Sequence, residues 1–258
     1  MKFNKDKNNI NSTVLITGGA KRIGKEIAIF FAEKNFNIVI HYNHSHDQAV
    51  ELQKFLIDKF NIKVDLFKAN LFDQNQADQL SNFMIKNYDN WNMLINNASI
   101  FNQSNFSDEN YQKELTENFN VHVNSPIILI KKFHDYVKKN NIENAQIINL
   151  LDKNIVRYDT KYFYYLLTKK FLAESTKMIA LEIAPQTRIN GLAIGYTIAE
   201  SDDQDSIIYE KNLINKIPLR KKCDQQNINQ TIDYLIKNNF ITGQIISIDG
   251  GSSLNHAG

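Results

Sequence analysis

Glycine is scarce in this chain, nine in 258 residues, or about half the share usual in globular proteins. The positions where it survives are therefore informative. Gly18, Gly19 and Gly24 follow a first apolar run, Gly191 and Gly195 follow a sixth, Gly243, Gly250 and Gly251 bracket a seventh, and Gly258 ends the chain. Such clusters mark turns at strand ends, where the backbone needs positive φ or must let a ligand come close. Cysteine is scarcer still. Cys223 alone excludes an internal disulfide and a multi-cysteine zinc site, and it suits a reducing, cytoplasmic setting. Neither sign of charge prevails. The balance of 30 Lys and Arg against 28 Asp and Glu leaves a formal +2, too little for the phosphate-neutralising field that nucleic acid requires. Long hydrophobic runs are missing as well: stretches such as Ala28 to Ala32 and Ile127 to Ile130 fall far short of the roughly 18 to 20 residues of a membrane helix. Residues 1–11 are polar, without the apolar stretch of an export signal, and read as a flexible leader.

Hydrophobic residues make up 43% and charged residues 22%, enough to bury a sizeable core. Short apolar runs alternate with amphipathic stretches from end to end. Val14 to Thr17, Asn37 to His41, Ile62 to Lys68, Asn92 to Ile95, Ala145 to Leu151, Arg188 to Ala193 and Gln244 to Ile248 read as seven strands. Between them, spacings such as Ile23, Ile27, Phe30 and Phe31, or Leu167, Phe171, Leu172 and Met178, are helical. Long helices are expected over 112–139 and 160–184. Strand and helix in alternation specify a parallel sheet covered on both faces. No linker, repeat or change of composition divides the chain, so residues 1–258 read as one doubly wound α/β domain of the Rossmann type, with a seven-stranded parallel sheet.

Two constellations carry chemistry. Thr17-Gly18-Gly19-Ala20-Lys21-Arg22-Ile23-Gly24 joins the first strand to the first helix, where backbone N–H groups and a helix N-terminus can receive a pyrophosphate. No Lys-Ser/Thr pair follows the last glycine, which disfavours an ATP-binding P-loop. Tyr165 and Lys169 stand four apart and so share one helical face. A neighbouring ammonium favours the phenolate and is expected to lower the phenol's pKa from about 10. Taken alone, the run Tyr162 to Tyr165 would serve equally as an aromatic core stripe.

The motif Thr-Gly-x-x-x-Arg-Ile-Gly at 17–24, Asn96-Asn97-Ala98, Tyr165-x-x-x-Lys169, and Ile241-Thr242-Gly243-Gln244 leading to Asp249-Gly250-Gly251 together resemble the short-chain dehydrogenase/reductase family over residues 13–254. A finer resemblance, to pteridine reductases and dihydromonapterin (dihydrofolate) reductases, rests on Arg22, on Asn97-Ala98-Ser99-Ile100-Phe101, and on Asp152. The resemblance implies a catalytic group of Asp152, Tyr165 and Lys169, with Tyr165 as general acid and Lys169 also holding the nicotinamide ribose. It implies cofactor contacts from Gly18, Lys21, Arg22, Ile23, Gly24, His44, Ser45, Asn70, Leu71, Asn97, Ala98, Ser99, Gly195 and Thr197. Substrate contacts are implied for Arg22, Ser99 and Phe101, as is a homotetramer. Most family members carry a serine where this chain has Asp152. A carboxyl suits a protonatable ring nitrogen better than a plain ketone, whose oxyanion it would repel. A fourth family position, usually asparagine, falls on His122 when aligned through Pro126 and on Asn124 when counted from Asp152. Ile194 replaces the usual proline before Gly195, and residues 198–215 resemble a mobile substrate lid.

An acidic residue at the end of the second strand would bind the ribose 2′-OH of NAD; this strand ends His41-Tyr42-Asn43-His44-Ser45, with no acid before Asp47. NADPH is therefore expected. The three histidines 41, 44 and 46 invite a metal reading, but no further ligand spacing accompanies them and no metal is expected. Phe101 is expected to stack on a planar heterocycle, which favours a pterin-like small molecule as substrate. The alternatives are a reductase of another carbonyl compound, such as a 3-ketoacyl thioester, and a catalytically idle binding homologue.

Overall fold

A computed structural model describes residues 12–197 and 211–254. The leader, the first thirteen residues of the expected lid, and Gly258 lie outside the described residues; residues 211–216 are helical. Seven strands form one parallel sheet: β1 (Thr13–Ile16), β2 (Asn37–Tyr42), β3 (Val64–Lys68), β4 (Trp91–Asn96), β5 (Ala145–Asp152), β6 (Thr187–Ile194) and β7 (Ile245–Ile248). Their order across the sheet is β3-β2-β1-β4-β5-β6-β7. The helices are α1 (Arg22–Glu33), α2 (His46–Phe60), α3 (Gln74–Asn87), α4 (Tyr111–Phe119), α5 (Ser125–Asn140), α6 (Phe163–Ile183) and α7 (Gln225–Lys237). No helix among the described residues is long and apolar enough to cross a membrane.

Strand residues alternate between two cores, which explains why the strands read as unbroken apolar runs. Val14, Ile16, Ile38, Ile40 and Ile148 pack with Ile27 and Phe31 of α1, Leu56 of α2 and Ile232 of α7. Leu15, Val39, Leu94 and Ile147 turn the other way, onto Leu80 and Met84 of α3, Phe133 of α5 and Ile183 of α6. The chain reverses its direction of winding between β1 and β4, and in open parallel sheets the ligand crevice opens at such a switch, beyond the strands' C-terminal ends.

Two expectations need correction. Gly191 lies inside β6, not after it, paired with Asn149 and Ile245. A Cβ there would meet the side chains of Ile245 and Leu151 at 2.6 Å, so this glycine serves packing. The helix expected over 112–139 is likewise interrupted: α4 and α5 are joined by a π-helical turn, Asn120–Asn124. Pro126 has no N–H to offer the carbonyl of His122 one turn back, and the widened turn absorbs that loss where π-bulges commonly serve function.

Candidate active site

The glycine-rich turn is held from three sides. Thr17 Oγ1 accepts the N–H groups of Asn97 (2.9 Å) and Ala98 (3.0 Å). Asn97 Nδ2 donates back to the carbonyls of Thr17 (2.8 Å) and Gly18 (2.9 Å). From β2, His41 Nδ1 accepts the Gly18 N–H at 3.0 Å, and the His41 carbonyl accepts that of Gly19 at 3.0 Å. An N–H can only donate, so the proton of His41 sits on Nε2, which donates to the Ala69 carbonyl (3.0 Å). Burial pushes the His41 pKa down to about 4, so the ring stays neutral. The N–H groups of Gly18 and Gly19 are thus engaged within the protein. Those of the first turn of α1 have no side-chain cap from Lys21, and uncapped helical N–H groups suit an anion. Gly24 admits no side chain: a Cβ would lie 2.3 Å from the Gly18 carbonyl oxygen.

Around this turn stand the other expected cofactor positions. Lys21 and Arg22 are exposed and Ile23 is half-buried. His44 is exposed, and Ser45 precedes α2 with its side chain unused as a cap. Asn70 accepts the Phe72 N–H (3.1 Å), while the carbonyl of buried Leu71 accepts from Ser125 Oγ (2.8 Å). Gly195 donates to Ile248 O (2.9 Å), and Asp249 Cα stands 2.7 Å from where its Cβ would be. Thr197 is half-buried.

Across the crevice, Asp152 ends β5 while Tyr165 and Lys169 project from α6. Tyr165 donates its hydroxyl to Asp152 Oδ2 at 3.1 Å, and Asp152 Oδ1 accepts the Asn154 N–H at 2.7 Å. The carboxylate therefore caps the following turn and also holds the phenol. Lys169 is buried and donates to the Leu150 carbonyl at 2.9 Å, its Nζ lying 5.8 Å from the Tyr165 ring centroid. Burial lowers the Lys169 pKa to about 8, against the opposing pull of the Asp152 charge. The expected lowering of the phenol does not occur in this arrangement. Burial, then the Asp152 charge and its hydrogen bond, hold Tyr165 well above the ordinary tyrosine range. The carboxylate touches the hydroxyl, whereas the ammonium is committed to a backbone carbonyl. Tyr165 is accordingly a protonated donor.

Phe101 is half-exposed, stacked on Tyr162 (centroids 4.3 Å, 11°) and edge-on to Tyr165 (4.8 Å, 83°). The ring is a wall of the crevice, not a core residue. His122, not Asn124, reaches the site. Its ring lies edge-on to Tyr165 at 5.4 Å and bonds Ser99 at 2.9 Å, while Asn124 donates to Asn120 on its own turn.

Residues 18–253 match the sequence model of a family described as enoyl-(acyl carrier protein) reductase, of the short-chain dehydrogenase/reductase type. The chain belongs to the short-chain dehydrogenase/reductase family. FolM alternative dihydrofolate reductase 1 from Brucella canis, solved in complex with NADP, is 27% identical with a TM-score of 0.86 and coverage of 96% of either chain. The corresponding protein from Brucella suis, also in complex with NADP, gives a TM-score of 0.82 at 27% identity over 95% of this chain and 96% of that one. Dihydromonapterin reductases of Enterobacter sp. (strain 638) and Citrobacter koseri are 25% and 26% identical over 135 residues, 52% of this chain and 55% of theirs. The chain spans about half the length of the curated relatives it matches.

As a short-chain dehydrogenase/reductase, the protein brings Asp152, Tyr165, Lys169, Ser99 and Phe101 to one end of the sheet. Sequence reasoning placed Thr17 in the turn but gave its side chain no role, and it missed His41 and Tyr162 as parts of the site. A histidine directly after the apolar run Ile38-Val39-Ile40 was a signal for His41. It was legible only as one of three histidines suggestive of metal, and among the described residues no group of three or more His, Cys, Asp or Glu side chains is placed to hold one.

Proposed function

We propose that the protein is an NADPH-dependent reductase acting on a pterin ring, with Tyr165 as proton donor. The observation that carries this reading is the Tyr165 to Asp152 hydrogen bond beside the half-exposed ring of Phe101. The names of the similar proteins, dihydromonapterin reductase and dihydrofolate reductase, and the NADP of the Brucella structures, support it.

The residues fit a dinucleotide. The turn at 17–24 closes on itself at Gly24, where no Cβ fits, which fixes the shape of the loop ahead of α1, and the first turn of α1 is uncapped. Arg22, His44 and Ser45 would hold the 2′-phosphate, Lys169 the nicotinamide ribose and Thr197 the carboxamide. When bound, NADPH supplies the hydride. Tyr165 then gives its proton to the ring nitrogen; Asp152, touching the same hydroxyl, orients the phenol, and the Lys169 ammonium, 5.8 Å from the ring centroid, offsets the phenolate that is left. The Phe101 face not covered by Tyr162 stacks on the flat substrate. An acyl thioester would gain nothing from that stack, and its carbonyl oxygen would develop negative charge near Asp152.

The test is NADPH oxidation against dihydropterins, dihydrofolate and ketoacyl thioesters, with an NADH arm. Phe101→Ala is expected to raise KM for the pterin about 3- to 10-fold, since stacking contributes about 0.5 to 1.5 kcal/mol. Asp152→Ser should lower pterin turnover, and NADH should be much the poorer cofactor. Robust ketoacyl reduction with no pterin turnover, or equal kcat/KM for NADH, would overturn the reading.

A homotetramer is part of the proposal. Leu167, Phe171, Met178 and Leu181 form an exposed stripe on α6 at spacings of four, seven and three, one helical face, with Ile127 of α5 also exposed. Light scattering at micromolar concentration is expected to give four times the chain mass, and a monomer would refute this.

A further inference from the structure

His122 occupies the π-helical turn and is almost wholly buried, yet both of its ring nitrogens are engaged. Nε2 lies 3.3 Å from the backbone N–H of Ile100 and 2.9 Å from Ser99 Oγ. Nδ1 lies 2.9 Å from Thr168 Oγ1. The backbone N–H fixes the tautomer. Since Ile100 can only donate, Nε2 must carry a lone pair, which leaves the ring proton on Nδ1, donated to Thr168. Thr168 in turn donates to the carbonyl of Tyr165 (2.9 Å) or Tyr164 (3.0 Å). One neutral ring thereby joins the loop that carries Phe101 to the helix that carries Tyr165 and Lys169. Burial, reinforced by the Lys169 charge, holds the His122 pKa well below the usual histidine range and so keeps the ring uncharged.

The tautomer has a consequence for Ser99, which is exposed toward solvent while its Oγ rests on this network. Its hydroxyl hydrogen has two acceptors within reach, His122 Nε2 (2.9 Å) and the Ile100 carbonyl (3.2 Å), both on the protein side. The opposite tautomer would set two donors against each other at Ile100 and free the serine proton for a ligand. We infer that His122 is a positioning residue that sets the polarity of Ser99, turning its hydroxyl hydrogen inward and leaving Oγ as a hydrogen-bond acceptor for an N–H donor on the substrate ring. The inference rests on the proposed reduction of a pterin, and it specifies the chemistry recognised: a planar heterocycle that presents an N–H group at the Ser99 end of the crevice. A ring with only acceptors at that edge would be rejected, because two lone pairs would then face each other without a proton.

His122→Phe keeps the ring packed edge-on to Tyr165 and removes both polar edges. It is expected to raise KM for dihydropterin roughly 10-fold, the effect of one lost hydrogen bond with an unsatisfied partner, while kcat and NADPH affinity stay within about twofold. His122→Gln, whose amide offers one acceptor and one donor, should recover most of that loss. Ser99→Ala should raise KM similarly, and the Ser99→Ala, His122→Phe double variant should be no worse than either single change, since both remove one interaction. Additive losses, or a wild-type KM in a His122→Phe protein of native melting temperature, would overturn the inference. Should that variant not fold, long-range ¹H–¹⁵N spectra of the wild type at pH 7.5 decide: a protonated Nδ1 with bare Nε2 supports the inference, and the reverse overturns it. Those spectra involve no turnover, so failure of the wild type to reduce any pterin would sink the proposed function and leave the tautomer to be judged separately.

Discussion

Tyr165→Phe is expected to cut turnover about 10²- to 10⁴-fold, the usual worth of a positioned general acid, while NADPH affinity stays within about twofold. Two hydrogen bonds at the end of β5 set this outcome. Tyr165 gives its hydroxyl to Asp152, but Lys169 is held by the Leu150 carbonyl and not by the phenol. Removing the hydroxyl therefore leaves the lysine where it is. The aromatic ring, buried against Phe101 and His122, is retained, so the helix has no cavity to collapse into. The raised phenol pKa sharpens the expectation. With Asp152 and burial both disfavouring the phenolate, the wild type enters each cycle with the proton in place, and the variant has none to give. Stopped-flow reduction with saturating NADPH and fluorescence titration of NADPH separate the two quantities. Wild-type turnover in the variant would remove Tyr165 from the mechanism, and a parallel loss of NADPH affinity would show that the residue holds the cofactor instead.

Gly24→Ala is expected to abolish measurable cofactor binding at a lower cost to stability. A methyl group there would lie 2.3 Å from the Gly18 carbonyl oxygen, 2.7 Å from Asn97 Nδ2 and 2.9 Å from Gly19 Cα. None of these can step aside. Gly18 is pinned by His41 from β2, Asn97 by Thr17 and Gly18, and Gly19 by the His41 carbonyl. The strain is thus relieved only by opening the turn and shifting the start of α1, which are the parts that would receive the pyrophosphate. Overpacking of this kind costs about 1 to 3 kcal/mol, equivalent in a domain of this size to a fall in melting temperature of roughly 2 to 10 °C. Calorimetry of NADPH binding and of unfolding checks both halves. Wild-type affinity with unchanged melting would mean that the turn yields elsewhere and that its rigidity is not what the cofactor requires.

The seven strands and their parallel arrangement were legible because both depend on patterns within a few residues. Runs such as Ile38-Val39-Ile40 are apolar on both faces, and helical spacing between them leaves no other way to bury those faces. Tyr165 and Lys169 were legible for the same reason, since a separation of four on a helix sets both on one face whatever surrounds it. The two local departures have different causes: the π turn answers the missing N–H of Pro126, whereas Gly191 within β6 reflects neighbours from other elements. Gly191 is small because Leu151 and Ile245 press on it from the adjoining strands.

What the sequence alone determined, then, was the fold, the family and the residue types at the crevice. The tertiary structure decided how those residues are wired: that His41 braces the glycine-rich turn, that His122 and not Asn124 enters the site, and that Tyr165 feels Asp152 more than Lys169. These contacts join residues 23 apart for His41 and Gly18, 22 for His122 and Ile100, 46 for His122 and Thr168, and 13 for Tyr165 and Asp152. A hydrogen bond depends on tenths of an ångström and on direction, and such distances arise only once the sheet has closed and the helices have packed on it. Hydrophobic periodicity specifies which face is buried. It carries no information on which polar atom, across the sheet, the buried one will meet.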